Sequence, residues 1–564
     1  MKAALRILAS GVLIGAAAPA AAQERVDLLA IHRIKNEAFR NSQVMDHLFF
    51  LTDVHGPRLA GSPAYRKAAD WSVGTMKKWG ISEARLETWG EFGRGWTLER
   101  FAAHMVAPSY MPIAGSPLAW SAGTSGPVKA ETIIATLFTD ETRKDRYDLE
   151  KLAALIEGWT TTHRGKLGGR IVLIDPVREL PPPTTAASER YAPEALETIA
   201  RAPEPVPLDP LEWPIVRLPK DERKEHQMYT PAPIEMTSDF WLRQTRIFDR
   251  LNAFLRDEGV VAVLTADRRG DGGLVFAEEA GSWERGAPIP PPVVAIQPEQ
   301  YARLHRLTDR KMPVTIELEV RARIDESDPE GFNVVAEIPG GRKKDEIVML
   351  GAHLDSWHAG TGATDNAAGS AVVLEALRIL KVLGLPMDRT VRLALWGSEE
   401  QGLFGSRRYV AKHFADPITM KTRPEHARLA GYFNIDNGSG KIRGVYLQGN
   451  DMVRPIFAAW LEPFHDLGAT TLTIDWTGGT DHQSFDSVGR PGFQFIQDPL
   501  DYSSRTHHSN LDVYDHVQPG DLMQASAIMA SFVYHAATRP DLLPRKPLPR
   551  PLPPKKETAA AGSQ

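Results

Sequence analysis

Acidic and histidine side chains follow several apolar runs in the second half of the chain. They stand in the segments "GAHLDSW", "GATDNAAG", "GSEEQGLFGS", "FNIDNGSG" and "RTHHSNLD", which contain His353, Asp355, Asp365, Glu399, Glu400, Asp436, His507, His508 and Asp512. Taken singly, each has an ordinary interpretation, such as a helix cap, a turn or a hydrogen-bonded core histidine. Together they would gather several negative charges in one crevice, and cations are needed to offset that repulsion. A set of two histidines and three carboxylates suits two Zn²⁺ ions, because zinc binds imidazole nitrogen and carboxylate oxygen and catalytic sites leave a position for water.

The segments that carry these side chains alternate between strand and helix patterns. Strands are predicted in "EIVMLGAHLD", "TVRLALWGSEE" and "RLAGYFNID", and helices in "DNAAGSAVVLEALRILKVLG" and "FGSRRYVAKHF". Near-continuous apolar strands between helices predict an α/β fold with a mixed, mostly parallel sheet covered by helices on both faces. Ligands of such sheets collect beyond the carboxyl ends of the strands, so we expect the acidic and histidine side chains to meet at one edge.

The length of 564 residues predicts more than one domain. Between the two halves, short strands at Arg170–Ile174 and Val260–Leu264 and a helix at about Phe240–Asp257 indicate an inserted, β-rich unit. A final helix is predicted at Asp521–Ala537. The predicted boundaries are a leader at 1–22, a discontinuous main domain at 23–125 and 316–540, an insert at 126–315 with a proline-rich excursion at about 178–236, and a proline-rich, disordered tail at 541–564.

Composition and the N-terminal segment predict an exported protein. The formal charge of −5 and the pI of about 6.4 do not favour binding to nucleic acid or to an anionic membrane. "MKAALRILASGVLIGAAAPAAAQ" has the basic, apolar and small-residue regions of a secretory signal with cleavage after Ala22, the alternative being an N-terminal membrane anchor. No span is expected in the mature chain. The absence of cysteine excludes disulfides and fits a bacterial periplasmic or secreted protein.

The quoted motifs resemble those of the M28 family of co-catalytic zinc exopeptidases. They occur in the family's order, and "HGPRLAGSPAYRKAADW", residues 55–71, is similar to the family's N-terminal segment. The insert resembles a protease-associated (PA) domain. The resemblance implies the zinc-exopeptidase fold, phosphorylase/hydrolase-like, and hydrolysis of a peptide or dipeptide substrate at a chain end by a zinc-bound hydroxide.

The resemblance also implies the ligands of two zinc ions per chain. His353 and Asp436 bind one ion, Glu400 and His508 bind the other, and Asp365 bridges the two.

Further roles follow from the same resemblance. Glu399 is the general base, and Asp355 orients the imidazole of His353. His507 occupies the place of the family's usual tyrosine and is a candidate hydrogen-bond donor to the developing oxyanion. In "GGTDHQSF", Asp481 and His482 are candidates for the substrate pocket, with a structural role as the alternative, whereas His358 and His516 receive no role.

Other function classes remain open at the level of sequence. A non-catalytic receptor could use the same fold, as could a one-zinc glutaminyl cyclase. The complete ligand set with its base favours the enzyme over the receptor, and the PA-like insert weighs against the cyclase. We expect the insert to shape the substrate cleft without supplying a metal ligand. Aminopeptidase, carboxypeptidase or dipeptidase specificity is undecided, as are side-chain preference and a homodimer.

Overall fold

The structure is a computed structural model that describes residues 24–202, 234–549 and 551. The predicted leader and most of the proline-rich excursion lie outside these residues. The described strands are β1 (Arg85–Glu91), β2 (Gly95–Ala107), β3 (Met111–Pro112), β4 (Gly115–Pro117), β5 (Val128–Ile134), β6 (Ile171–Leu173), β7 (Ala262–Thr265), β8 (Val293–Ile296), β9 (Thr315–Asp325), β10 (Glu330–Ile338), β11 (Lys343–His353), β12 (Arg389–Trp396), β13 (Leu429–Asn434), β14 (Ile442–Tyr446), β15 (Thr471–Thr473) and β16 (Gly492–Gln497). The described α-helices are α1 (Leu28–Arg40), α2 (Val44–Phe49), α3 (Pro63–Lys78), α4 (Leu149–His163), α5 (Pro193–Arg201), α6 (Ile234–Asp257), α7 (Pro298–Asp309), α8 (Ala368–Leu383), α9 (Phe404–His413), α10 (Arg454–Leu461), α11 (His482–Asp486) and α12 (Pro519–Thr538).

The first sheet has the predicted mixed, mostly parallel character. Within the described ranges its strand order is β1-β10-β12-β11-β13-β16-β14-β15. The central strands β12, β11, β13 and β16 pair in parallel, whereas β1, β10 and β12 pair antiparallel, as do β14 and β16. Parallel pairing brings the carboxyl ends of β11, β12 and β13 to one edge of the sheet.

Helices cover both faces of this sheet, which confirms the predicted fold class. In β11, Val348 and Leu350 belong to a core that includes α8 and α12, whereas Ile347 and Met349 belong to a second core that includes α9. Side chains of a strand alternate between faces, so a strand that is apolar at every position requires cover on both sides. Helix α8 ends before Gly384, which has a left-handed φ of 56°, at the predicted stop.

The second sheet begins and ends outside the predicted insert. Its strand order among the described residues is β3-β2-β9-β5-β6-β7-β8-β4. Strands β2 and β9 pair antiparallel from Gly95 opposite Asp325 to Ala107 opposite Thr315, so chain on both sides of the predicted 126–315 segment joins the same sheet. A boundary placed by composition misses such a pairing, because its partners are distant in sequence. The domain division and the PA-like identity of the insert stay predictions.

The described part of the proline-rich excursion packs on the first sheet. Its proline content favours irregular structure, but Pro193–Arg201 forms α5, which contacts β15. Leu196 supplies a buried side chain, and a proline in the first turn suits the start of a helix. Helix α6 begins at Ile234, earlier than the predicted start near Phe240.

The prediction of a disordered tail from residue 541 is wrong for its first part. Leu543 is only 2% exposed and joins the core of the first sheet. Lys546 is buried, with its ammonium 2.5 Å from the Asp486 carboxylate. Proline content suggested disorder, whereas these two side chains anchor residues 541–549.

None of the helices described in residues 24–202 and 234–549 combines the length and apolar character needed to cross a bilayer.

Candidate metal centre and active site

The predicted site residues meet beyond the carboxyl ends of three neighbouring parallel strands. His353 is the last residue of β11 and lies opposite Trp396, the last residue of β12. Glu399 and Glu400 follow Trp396 within a short turn, and Asp436 follows Asn434, the last residue of β13. The register therefore delivers each of these side chains to the same edge.

Asp365 lies between two histidines that belong to separate parts of the chain. Its Oδ1 is 3.3 Å from Nε2 of His353, and its Oδ2 is 3.2 Å from Nε2 of His508. His353 Nε2 is also 3.2 Å from Oδ1 of Asp436. On the other side, His508 Nε2 is 3.1 Å from Oε2 of Glu400. The contacts form two histidine–carboxylate groups that share Asp365.

The donor set fits a bound cation. His353 is 1% exposed, Asp365 4% and Asp436 9%. Asp365 Oδ2 and Glu400 Oε1 are buried without a hydrogen-bond partner in the described part of the chain. Buried carboxylates are costly unless a charge or a hydrogen bond compensates them, and imidazole with carboxylate is a donor set that suits zinc. One group that could hold a metal comprises His353, Asp365 and Glu400, and a second comprises Asp365, His507 and His508.

The pKa values of the acidic groups reflect their crowding. Burial raises the pKa of Glu399 well above its ordinary range, and the charges of Asp436 and Asp481 add to that rise against the opposing effect of His353. Burial and the Asp365 charge raise the pKa of Glu400 to about 8. Burial acts in the same direction on Asp365, but the adjacent imidazoles of His353 and His508 hold its pKa well below the usual range. The Asp365 carboxylate is thus stabilised in its charged form by two imidazoles, whereas Glu399 and Glu400 have too little positive charge nearby to offset their burial.

Asp355 has a different contact from the predicted one. Nδ1 of His353 is 3.0 Å from the main-chain oxygen of Asp355 and 3.8 Å from its carboxylate, so the main-chain carbonyl accepts the imidazole N–H. The carboxylate instead accepts the main-chain N–H groups of Glu399, at 3.1 Å, and Glu400, at 3.3 Å. Asp355 is fully buried and fixes the turn that carries the two glutamates.

His507 lies at the edge of the centre, next to Asp365 and His508. Its Nε2 is 3.6 Å from Oδ2 of Asp365, and its ring stacks on His508 with 3.7 Å between centroids. Tyr502 contacts the other side of His507 edge-on, at 4.9 Å. Burial lowers the pKa of His507 to about 4, so its imidazole is neutral at neutral pH. The structure brings His507 to Asp365, and its role toward an oxyanion stays a prediction.

Asp481 and His482 are fully buried. Burial raises the pKa of Asp481 to about 8, against the opposing charge of His353. His482 Nε2 donates to the Thr477 carbonyl at 3.0 Å, and burial lowers its pKa to about 4. This contact favours the structural role of His482 that was the alternative to a place in the substrate pocket.

Sequence reasoning assigned no role to Arg58, which is buried behind the centre. Its guanidinium donates to main-chain carbonyls that include Leu354, at 2.6 Å, and Gly362, at 2.9 Å. It thereby ties the end of β11 to the turn before Asp365. Gly362 has a φ of 69°, and a Cβ there would lie 2.3 Å from the Ser356 side chain. The sequence feature that could have indicated this role is an arginine within the Gly/Pro-rich segment "HGPRLAGSP".

The second missed residue is Glu278, which lies between β7 and β8. Its Oε1 is 2.7 Å from Nδ1 of His508. Nothing in the local sequence around Glu278 indicated this contact, because the two residues are 230 positions apart.

Part of the chain matches a known peptidase family. Residues 333–533 match the family described as "Peptidase family M28". Carboxypeptidase Q of Rattus norvegicus is 32% identical over 254 residues, which cover 45% of this chain and 51% of the relative. The chain thus spans about half the length of the curated relatives it matches.

Solved structures with a similar fold include a peptidase M28 precursor from Shewanella amazonensis. It has a TM-score of 0.60 at 23% identity, covering 92% of this chain and 98% of that one. A zinc aminopeptidase from Bacillus subtilis has a TM-score of 0.51 at 19% identity, covering 89% of this chain and 96% of that one. At these identities the two structures support the fold alone.

Proposed function

We propose that the chain is a di-zinc exopeptidase of peptidase family M28, whose family model its residues 333–533 match. The observation that carries the proposal is the position of Asp365, whose two carboxylate oxygens face the Nε2 atoms of two different histidines at 3.3 and 3.2 Å. His353 and Asp436 would hold one ion, and Glu400 and His508 the other, with Asp365 shared. The donor set of imidazole nitrogen and carboxylate oxygen supports the choice of zinc.

The residues around this centre divide the chemistry of peptide hydrolysis. When bound, a pair of zinc ions would supply Lewis acidity toward the scissile carbonyl and would lower the pKa of the attacking water toward neutral pH. Glu399 accepts the proton of that water on its carboxylate and delivers it to the leaving amine. The Asp355 carboxylate accepts the main-chain N–H of Glu399, and this hydrogen bond fixes the backbone of the proposed base. His507 donates its imidazole N–H toward the oxygen on which charge develops.

The proposed substrates are peptides cleaved at a chain end, or dipeptides. The similar proteins include both a carboxypeptidase and an aminopeptidase, so the substrate terminus that the enzyme recognises has to be measured. Hydrolysis of free, N-blocked and C-blocked dipeptides separates the possibilities: an aminopeptidase requires the free amine, a carboxypeptidase the free carboxylate, and a dipeptidase both.

Metal analysis tests the proposal directly. We expect two zinc ions per chain and loss of hydrolysis on chelation, with recovery when zinc returns. Active protein free of transition metal would refute the metal assignment. Zinc without hydrolysis of any peptide in the panel would favour a binding protein, and one zinc with cyclisation of N-terminal glutamine would favour a cyclase.

We also propose that the protein is exported, on the basis of the basic, apolar and small-residue regions of its first 22 residues. Sequencing the N-terminus of the mature protein should find Gln23 first. An intact N-terminus on membrane-associated protein would support an anchor instead.

A further inference from the structure

His508 uses its two ring nitrogens in different directions. Nε2 faces the oxygens of Asp365 and Glu400, at 3.2 and 3.1 Å, inside the candidate centre. Nδ1 faces away from the centre and lies 2.7 Å from Oε1 of Glu278. Glu278 stands between β7 and β8 of the second sheet, so this contact joins the region of the predicted insert to the candidate metal centre.

Glu278 is itself held in place. Arg269 Nη2 lies 2.8 Å from the same Oε1 atom, and the guanidinium also contacts Asp267, with 3.1 Å between Nε and Oδ1. The guanidinium lies over the Phe276 ring at 4.4 Å from its centroid. Because Asp267 and Phe276 fix Arg269, the Glu278 carboxylate is held in place independently of its contact with His508.

The main chain reinforces the same junction. Ala277 N–H donates to the His508 carbonyl at 3.3 Å, and Asn510 N–H donates to the Val275 carbonyl at 2.9 Å. His508 has a φ of 65°, a left-handed conformation that is uncommon for residues other than glycine and is retained where surrounding contacts enforce it. Residues 275–278 therefore hold both the backbone and the ring of His508.

We propose that Glu278 is the positioning residue of His508, and that the second sheet thereby controls the affinity of one metal site but not the other. Glu278 accepts the Nδ1–H, which leaves the Nε2 lone pair directed at the ion. The other histidine has no such partner from the second sheet, because His353 donates Nδ1–H to the main-chain carbonyl of Asp355, two residues away. This inference rests on the proposed di-zinc function and extends it to the predicted insert region.

The test compares zinc affinities of the two sites in the full-length protein. Metal-free wild type and Glu278→Gln are titrated with Zn²⁺ against a chromophoric chelator. Removal of a carboxylate that orients a metal-bound histidine typically lowers affinity about 10–100-fold. We expect that loss at one site only, with the second affinity unchanged. Glu131→Gln is the matched control, because this glutamate also belongs to the second sheet and pairs with an arginine, Arg170.

The design separates positioning from general damage. The Tm of zinc-free Glu278→Gln should remain near that of wild type. If this variant does not fold, Arg269→Met carries the test, since it frees the Glu278 carboxylate and should weaken the same site by a smaller factor. Unchanged affinities, or equal weakening of both sites, would overturn the inference while leaving the proposed function intact. Wild type that binds no zinc would overturn both.

Discussion

Glu399 and Glu400 are adjacent in the chain, yet their carboxylates face different groups. Glu400 Oε2 lies 3.1 Å from His508 Nε2. The pKa of Glu399, by contrast, is shifted by the charges of His353, Asp436 and Asp481 as well as by burial. Both main-chain N–H groups are bound to the Asp355 carboxylate, so the turn fixes the two side chains in their separate directions. The pair therefore suits two different tasks, proton transfer and metal binding.

The two glutamine variants should consequently differ. Glu399→Gln removes the proposed base and should reduce turnover by about 10²–10⁴-fold with zinc content unchanged. Glu400→Gln removes a proposed ligand, so zinc content and activity should fall together. Metal analysis and peptide hydrolysis on the same preparations distinguish the two. Near-normal turnover in Glu399→Gln would show that the base is wrongly assigned.

His507→Ala tests the proposed oxyanion donor at the same scale. The neutral imidazole, with its pKa lowered to about 4 by burial, retains an N–H to donate at neutral pH. Loss of such a donor typically costs about 10²–10³ in kcat. We expect that reduction with both zinc ions retained. Loss of one zinc ion instead would identify His507 as a ligand. That alternative is worth testing because His507 Nε2 lies only 3.6 Å from Asp365 Oδ2.

At the scale of elements, the segment before α5 is attached to the chain that leads to the two histidines. Arg190 contacts Asp498 at 2.9 Å and Asp521, at the start of α12, at 2.8 Å. The Tyr191 N–H donates to Asp498 at 3.0 Å. Asp498 is fully buried and begins the loop that ends at His508. The excursion thus helps to fix the loop that carries half of the candidate centre.

Arg190→Ala should lower the free energy of unfolding by about 1.5–3 kcal/mol, the range for hydrogen bonds to charged groups. The loss stays moderate because Arg443 remains 2.9 Å from Asp498. Urea unfolding provides the measurement. The control is Arg201→Ala in the same excursion, whose ion pair with Glu197 is exposed and contributes little. Equal stability of the two variants would contradict the attachment.

For the whole molecule, His358 connects the two sheets. Its Nε2 donates to the Pro117 carbonyl in β4 at 2.7 Å, and its ring packs against Trp96 of β2 at 4.9 Å between centroids. Burial lowers the pKa of His358 to about 4. The folded protein therefore keeps this imidazole neutral in a pH range where the unfolded chain protonates it.

Stability should consequently fall as pH decreases from about 6.5, the ordinary histidine pKa, to about 4, because only the unfolded state takes up the proton. The neutral His358 contributes its full stabilisation above pH 6.5. Between pH 6.5 and 4, the free energy of unfolding should fall by up to about 1.4 kcal/mol per pH unit for this one histidine. His358→Gln should flatten the dependence of unfolding free energy on pH in zinc-free protein, where metal release plays no part. His32→Gln, at an exposed position, is the control. An unaltered slope in His358→Gln would exclude this source of acid sensitivity.

The sequence by itself determined the alternation of buried strands and helices and the residue types at the strand ends. Both are local properties: an apolar strand requires cover on both faces, and parallel neighbours bring His353, Glu400 and Asp436 to one edge. Tertiary structure alone decided the contacts between distant segments. Strand β2 joins β9, Lys546 anchors the tail on Asp486, and Glu278 reaches His508 across 230 positions. Asp355 lies two residues after His353, yet its carboxylate accepts the main-chain N–H groups of Glu399 and Glu400. Such pairings depend on the path of the chain through space, which periodicity and composition within a short window do not encode.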